Sequence, residues 1–176
     1  MPALASGASA ACARVRTSAR AGASVGAGTA FMNGSRRFVD TNILVYAHDT
    51  SAGDKHERAR ALLEQLWETR DGCLSVQILQ EFFVNVTRKI PKPLDAASAK
   101  EIIADLSRWH VHVPAADDVL GAIGLHQRTG ISFWDAMMVR SSVEIGCGVI
   151  YSEDLNHGQL YDGARVENPF RDATES

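Results

Sequence analysis

From Arg36 onward, short apolar runs alternate with stretches whose apolar residues recur every three or four positions, which predicts strands alternating with helices. Arg37-Phe38-Val39-Asp40 reads as a first strand and Thr41 to His48 as a short helix. Ala59, Leu62, Leu63 and Leu66 share one face of a second helix that opens near Asp54, its expected N-cap. Cys73-Leu74-Ser75-Val76 reads as a second strand. A third helix, about Gln77 to Lys89, places Ile78, Phe82 and Val86 on one stripe and stops before Pro91 and Pro93.

Asp95 caps a fourth helix with Ile102, Ile103, Leu106 and Trp109 on its apolar face, and Val111-His112-Val113 follows as a third strand. Asp117 or Asp118 caps a fifth helix reaching Arg128, which Gly130 ends. Ser132, three residues before Asp135, forms a capping box that opens a sixth helix to about Ile145. Gly148 to Ser152 reads as a fourth strand, with a fifth around Arg165-Val166 before Pro169. Strands joined through helices need crossovers, so the pattern predicts an α/β domain with a short parallel sheet covered on both faces. Neither an internal repeat nor a second domain is indicated.

The first 35 residues break this pattern. They are dominated by Ala, Gly and Ser, without periodic large apolar residues, a composition expected to stay disordered. No basic segment precedes an apolar one, so a secretory signal is not indicated. The acid-free stretch with Arg14, Arg16 and Arg20 fits the loose description of a transit peptide, while Met32 offers a simpler alternative start. The expected organisation is a leader over 1–35, a folded domain over 36–172 and a tail over 173–176.

At 45% hydrophobic and 22% charged residues, the chain has ordinary globular composition. Its apolar runs, such as Ile43-Leu44-Val45-Tyr46-Ala47, fall far short of the roughly 18 residues that cross a bilayer. Cys12, Cys73 and Cys147 form neither a CxxC pair nor a ligand-spaced cluster, which argues against a disulfide scaffold or structural zinc and fits a reducing, cytoplasmic compartment. A net charge of -3 argues against nucleic-acid binding if read alone, yet it conceals a split. Three of the 18 basic residues lie in the leader, so the body sets 15 against all 21 acids.

In parallel sheets, ligands bind where loops converge beyond the carboxyl ends of the strands. Asp40 ends the first strand and Asp154 follows the fourth, while Glu81 and Asp135 lie about one turn into helices facing that rim. Such acids repel one another unless a cation neutralises them, and hard oxygen ligands select magnesium or manganese. Each acid has a structural alternative. Asp40 caps the following helix, Asp135 is a first-turn helix acid, and Asp154 sits in a turn. Glu81 is harder to explain that way, because Gln80-Glu81-Phe82-Phe83 places it beside an apolar stripe.

Phe38-Val39-Asp40-Thr41-Asn42-Ile43-Leu44, then Glu81, then Phe133-Trp134-Asp135-Ala136, then Tyr151-Ser152-Glu153-Asp154-Leu155 together resemble the PIN-domain family of ribonucleases. Within that family the likeness is to the VapC toxins of bacterial toxin-antitoxin pairs, over about residues 36 to 170. The resemblance implies a PIN-like three-layer α/β/α sandwich and a magnesium- or manganese-dependent endoribonuclease. Asp40, Glu81, Asp135 and Asp154 would hold the metals, with Thr41 and Ser152 supporting them by hydrogen bonds. It further implies water attack on the scissile phosphate, products with 5′-phosphate and 3′-hydroxyl ends, a homodimer, and a small antitoxin across the groove.

The histidines (His48, His56, His110, His112, His126 and His157) are scattered, without zinc-protease spacing, and no phosphate-binding glycine loop precedes a lysine. Arg88, Lys89 and Lys92 form the densest basic cluster, either for phosphates or as a solvated helix end. Phe133 and Trp134 are expected in the core, with stacking on a base as their functional alternative. Two rivals from other classes remain: a PIN-like module that binds RNA or a partner without cutting, and a receiver-like phosphatase. Asn42 stands where the phosphatase's second aspartate belongs.

Overall fold

Phe38 and Val39 point to opposite faces of one strand, and both are fully buried. The sheet they belong to is therefore covered on both sides. The computed structural model describes residues 36–171. The expected leader with Cys12 and the tail over 173–176 lie outside the described residues.

Three strands open the sheet: β1 (Arg37–Val39), β2 (Gly72–Ser75) and β3 (His110–His112). Three more follow: β4 (Val149–Tyr151), β5 (Leu160–Tyr161) and β6 (Ala164–Glu167). Their order is β3-β2-β1-β4-β6-β5, with every pair parallel except the β5–β6 hairpin. The helices are α1 (Thr41–His48), α2 (Asp54–Thr69), α3 (Val76–Arg88), α4 (Ala96–Leu106), α5 (Ala116–Thr129) and α6 (Phe133–Glu144), with a 3-10 turn at Thr50–Ala52. α1 packs on both α2 and α3, α3 packs on α4, and α5 packs on α6, which gives the α/β/α layering. Phe82, Val86 and Ile78 of α3 are buried with Ile43, Leu44 and Leu66, as the stripe predicts. Truncating Phe82 to Ala would cost about 3–5 kcal/mol.

Local rules hold at several ends. The Asp95 carboxylate accepts from the N–H groups of Ala97 and Ser98, both at 2.9 Å. Gly130 closes α5 at φ 75° and donates to His126 O at 2.8 Å. Elsewhere tertiary context wins. Gly53 rather than Asp54 precedes α2, so Asp54 is its first residue. Neither Asp117 nor Asp118 is the cap of α5. That position is Ala115, whose N–H donates back to Asp118 Oδ2 at 2.8 Å. α4 stops at Leu106, and Trp109 packs its indole on Gly72 instead of extending the helix face. β3 ends before Val113, which is 71% exposed and outside the sheet. β5 was not expected, because two residues are too short to show alternation.

Candidate active site

The chain passes outward from β1 to β2 and β3, then returns to β4 on the other side of β1. The β1–β4 seam is thus where strand order reverses, the place where parallel sheets open a crevice. Asp40 lies at the mouth of that crevice and extends the ladder by one bond, its N–H donating to Tyr151 O at 3.0 Å. Its extended backbone makes it the cap of α1, with Oδ1 accepting from the Thr41 N–H. Oδ2 accepts from the Ser152 hydroxyl at 2.7 Å, across the seam. Capping and site membership are therefore compatible here. The side chain is only 8% exposed. Burial pushes its carboxyl up to about 7, against the Ser152 bond, and the charges of Asp154 and Asp135 push the same way.

Thr41, also buried, donates its hydroxyl to Glu81 Oε2 at 2.8 Å. Gln77, one turn earlier on α3, donates its amide to Glu81 Oε1 at 2.8 Å and to Trp134 O at 3.4 Å. Both oxygens of Glu81 are thereby oriented, which answers the cost of a carboxylate beside the Phe82 stripe. Asp154 is exposed and accepts from Asn42 Nδ2 at 3.2 Å, while its own N–H donates to the Ser152 hydroxyl oxygen at 3.2 Å. Partial burial raises its pKa, helped by Asp135 and Glu153. Ser132 is the expected N-cap of α6, but the box is not reciprocal, because the Asp135 carboxylate meets the Ser132 hydroxyl and not its backbone N–H. The Asp135 N–H donates to Ser132 Oγ at 3.0 Å, and the Ser132 hydroxyl donates to Asp135 Oδ2 at 2.7 Å.

All four acids line one cavity of about 270 Å³, and no Lys, Arg or His shares that lining. Asn42 Oδ1 and Gln77 Oε1, on two further lining residues, are buried oxygens without a donor. This donor set is all oxygen, negative and uncompensated, and it fits a hard divalent cation. Among the described residues no three His, Cys, Asp or Glu side chains already stand in ligating geometry, so binding an ion requires these carboxylates to close in. Another cavity of about 280 Å³, beneath α1, α2 and α4, has different chemistry: Arg60 there is paired with Glu64 at 3.2 Å.

Asn42, Tyr46 and Gln77 also line the acidic cavity, although the sequence reading passed them over as site residues. Helical spacing was the available signal, since Gln77 and Glu81, and Asn42 and Tyr46, are four apart. Trp134 departs from its expected core position. Phe133 is half-buried against the core, but Trp134 is 62% exposed on the cavity wall. Cys73 and Cys147 are free and buried, and no described helix is long and apolar enough to cross a membrane.

The fold is thus an α/β sheet with a crevice lined by four acids where its strand order reverses. Residues 37–162 match the family model of the PIN domain, and the chain belongs to that family, whose members are nucleases. Among solved structures, a toxin-antitoxin complex from Klebsiella pneumoniae is 16% identical, covers 76% of this chain and 98% of its own, and has a TM-score of 0.58. DNA-bound VapBC from Salmonella typhimurium is 18% identical, covers 76% and 98%, and has a TM-score of 0.55. VapC20 from Mycobacterium tuberculosis, a sarcin-ricin loop cleaving toxin, is 20% identical, covers 67% and 89%, and has a TM-score of 0.50. At these identities the likeness is one of fold. No curated protein sequence matches the chain.

Proposed function

We propose that the protein is a magnesium- or manganese-dependent endoribonuclease and the toxin of a toxin-antitoxin pair, with Asp40, Glu81, Asp135 and Asp154 as its metal ligands. The observation that carries this reading is the single cavity lined by four carboxylates and no cation. Membership of a nuclease family supports the hydrolase class. The VapBC and toxin-antitoxin neighbours support an antitoxin partner, and VapC20, a sarcin-ricin loop cleaving toxin, supports cutting. A homodimer is part of the same proposal and rests on the resemblance to the VapC toxins alone.

When bound, the divalent ion supplies positive charge that draws in the scissile phosphate and activates water. Asp40 anchors that site because Ser152 and Thr41 leave its carboxylate little freedom. Thr41 and Gln77 aim Glu81 across the cavity, and Asn42 steers Asp154. Lys89 lies on a groove of about 390 Å³ that also includes Glu81 and Asn85, which offers an RNA phosphate one cation beside the acidic centre.

The test is cleavage of structured and single-stranded RNA with magnesium or manganese, in EDTA, and by Asp40→Asn. Metal-dependent cutting that leaves 5′-phosphate and 3′-hydroxyl ends is expected, and the variant should be inactive. A 2′,3′-cyclic phosphate would overturn the mechanism. One observation favours a second reading, a PIN module that binds without cutting: among the described residues no three acids are in ligating geometry, and Asp135 Oδ2 is engaged by Ser132. RNA binding without cleavage at any metal concentration would establish it.

A further inference from the structure

Large aromatic side chains are seldom left in water without a use, and Trp134 is the most exposed aromatic among the described residues at 62%. It stands on the wall of the acidic cavity, one residue from Asp135. Tyr46, the other aromatic on that wall, already has partners: Phe170 meets its ring edge-on at 5.3 Å, and Lys55 Nζ lies 4.8 Å from its centroid. The Trp134 ring meets Phe133 edge-on at 5.3 Å.

Its backbone is held as well. Trp134 O accepts from the Gln77 amide that also orients Glu81, and the residue belongs to the first turn of α6, secured by the Ser132 cap. The indole is therefore presented from a rigid turn that shares a hydrogen-bond partner with the acids.

We propose that the Trp134 indole is the stacking platform for an unpaired base next to the scissile phosphate. The inference rests on the nuclease reading of the cavity and adds a base-contacting residue to it. An acidic cavity offers a polynucleotide little attraction of its own, so an uncharged contact beside it has a clear use. Stacking supplies that contact for any base, because every base has a π-face. A duplex keeps its bases stacked on each other and cannot offer one.

The experiment measures binding of the full chain to a short, mixed-sequence single-stranded RNA and to its duplex, with calcium in place of magnesium, alongside cleavage in magnesium. Trp134→Leu keeps an apolar side chain and is expected to bind the single strand about 5- to 150-fold more weakly. Trp134→Phe should bind within a few fold of wild type, duplex binding should be unchanged in both, and melting temperatures should stay near wild type. If Trp134→Leu does not fold, the wild-type fluorescence decides, since stacking should quench an emission that Trp134→Phe lacks. Equal single-strand binding by wild type and Trp134→Leu would overturn the inference while cleavage sustains the nuclease reading. Tryptophan-dependent binding without cleavage would overturn the nuclease reading and, with it, the placement beside a scissile phosphate, keeping only the stacking of an unpaired base on Trp134. Absence of RNA binding by wild type would overturn the inference, with a protein partner left as the occupant of the exposed ring.

Discussion

The hydroxyl of Thr41 donates to Glu81 Oε2 at 2.8 Å, and the N–H of the same residue donates to Asp40. One buried threonine thus ties together two carboxylates that stand 41 positions apart in the chain. Thr41→Val keeps the shape and deletes the donor to Glu81. Unfolding in urea should show a loss of about 1.5–3 kcal/mol, the range for a bond to a charged group. The metal concentration for half-maximal cleavage should rise about tenfold or more, as for other groups that orient ligands. An unchanged metal requirement would leave Thr41 a purely structural role.

Asp40 gives the metal-free protein a defined response to pH. Its folded pKa, about 7 against 3.8 for a free carboxyl, is raised by burial, with Asp154 and Asp135 adding charge nearby. Between those values the folded state retains a proton that the unfolded chain releases, so stability falls as pH rises, by up to about 1.4 kcal/mol per unit. Melting in EDTA across this window should show the decline, and Asp40→Asn should flatten it. Added magnesium should stabilise wild type at the upper end more than the variant.

Asp118 separates scaffold acids from site acids. It is buried and accepts from the Ala115 N–H, with Arg140 Nε at 3.4 Å and His112 Nε2 at 3.7 Å. Asp118→Ala should cost about 1.5–3 kcal/mol, because it removes a buried carboxylate that the Ala115 N–H and the half-buried His112 and Arg140 meet. Its neighbour Asp117 is exposed, and Asp117→Ala should stay within about 0.5 kcal/mol. Cleavage by both folded variants should equal wild type.

Gly72 makes a test of packing alone. A Cβ there would lie 2.4 to 2.6 Å from ring carbons of Trp109. The indole is rigid and its edge meets Trp67 at 5.3 Å, so it cannot simply swing aside. Gly72→Ala should lower stability by about 1–3 kcal/mol, as overpacking does, read as a drop in melting temperature.

Much of this was legible locally. The 3.6-residue stripe of Ile78, Phe82 and Val86 marks α3, and the buried pair Phe38 and Val39 marks a central strand. Ser132 was legible as the cap of α6 because the Asp135 N–H bond that defines it spans three residues, whereas the Asp135 carboxylate accepts from the Ser132 hydroxyl and not from its N–H. Trp109 was misplaced on α4 because helical periodicity continues past Leu106, whereas packing on Gly72 ends the helix there. Trp134 was misplaced in the core because its apolar context in sequence is shared with Phe133, and only one of the two faces inward.

By itself the sequence determined the order of strands and helices apart from β5, half of the helix N-caps, and the four acids worth examining, since each depends on neighbours within a turn or two. The tertiary structure alone decided that β4 returns beside β1, which carries Asp154 to Asp40 and lets Ser152 donate across 112 positions. It also decided that Asn42 and Gln77 face the same cavity and that Trp134 stands in solvent. The physical reason is range: periodicity and capping are set by local backbone geometry, whereas the side of the sheet on which a strand returns is set by the packing of the whole chain.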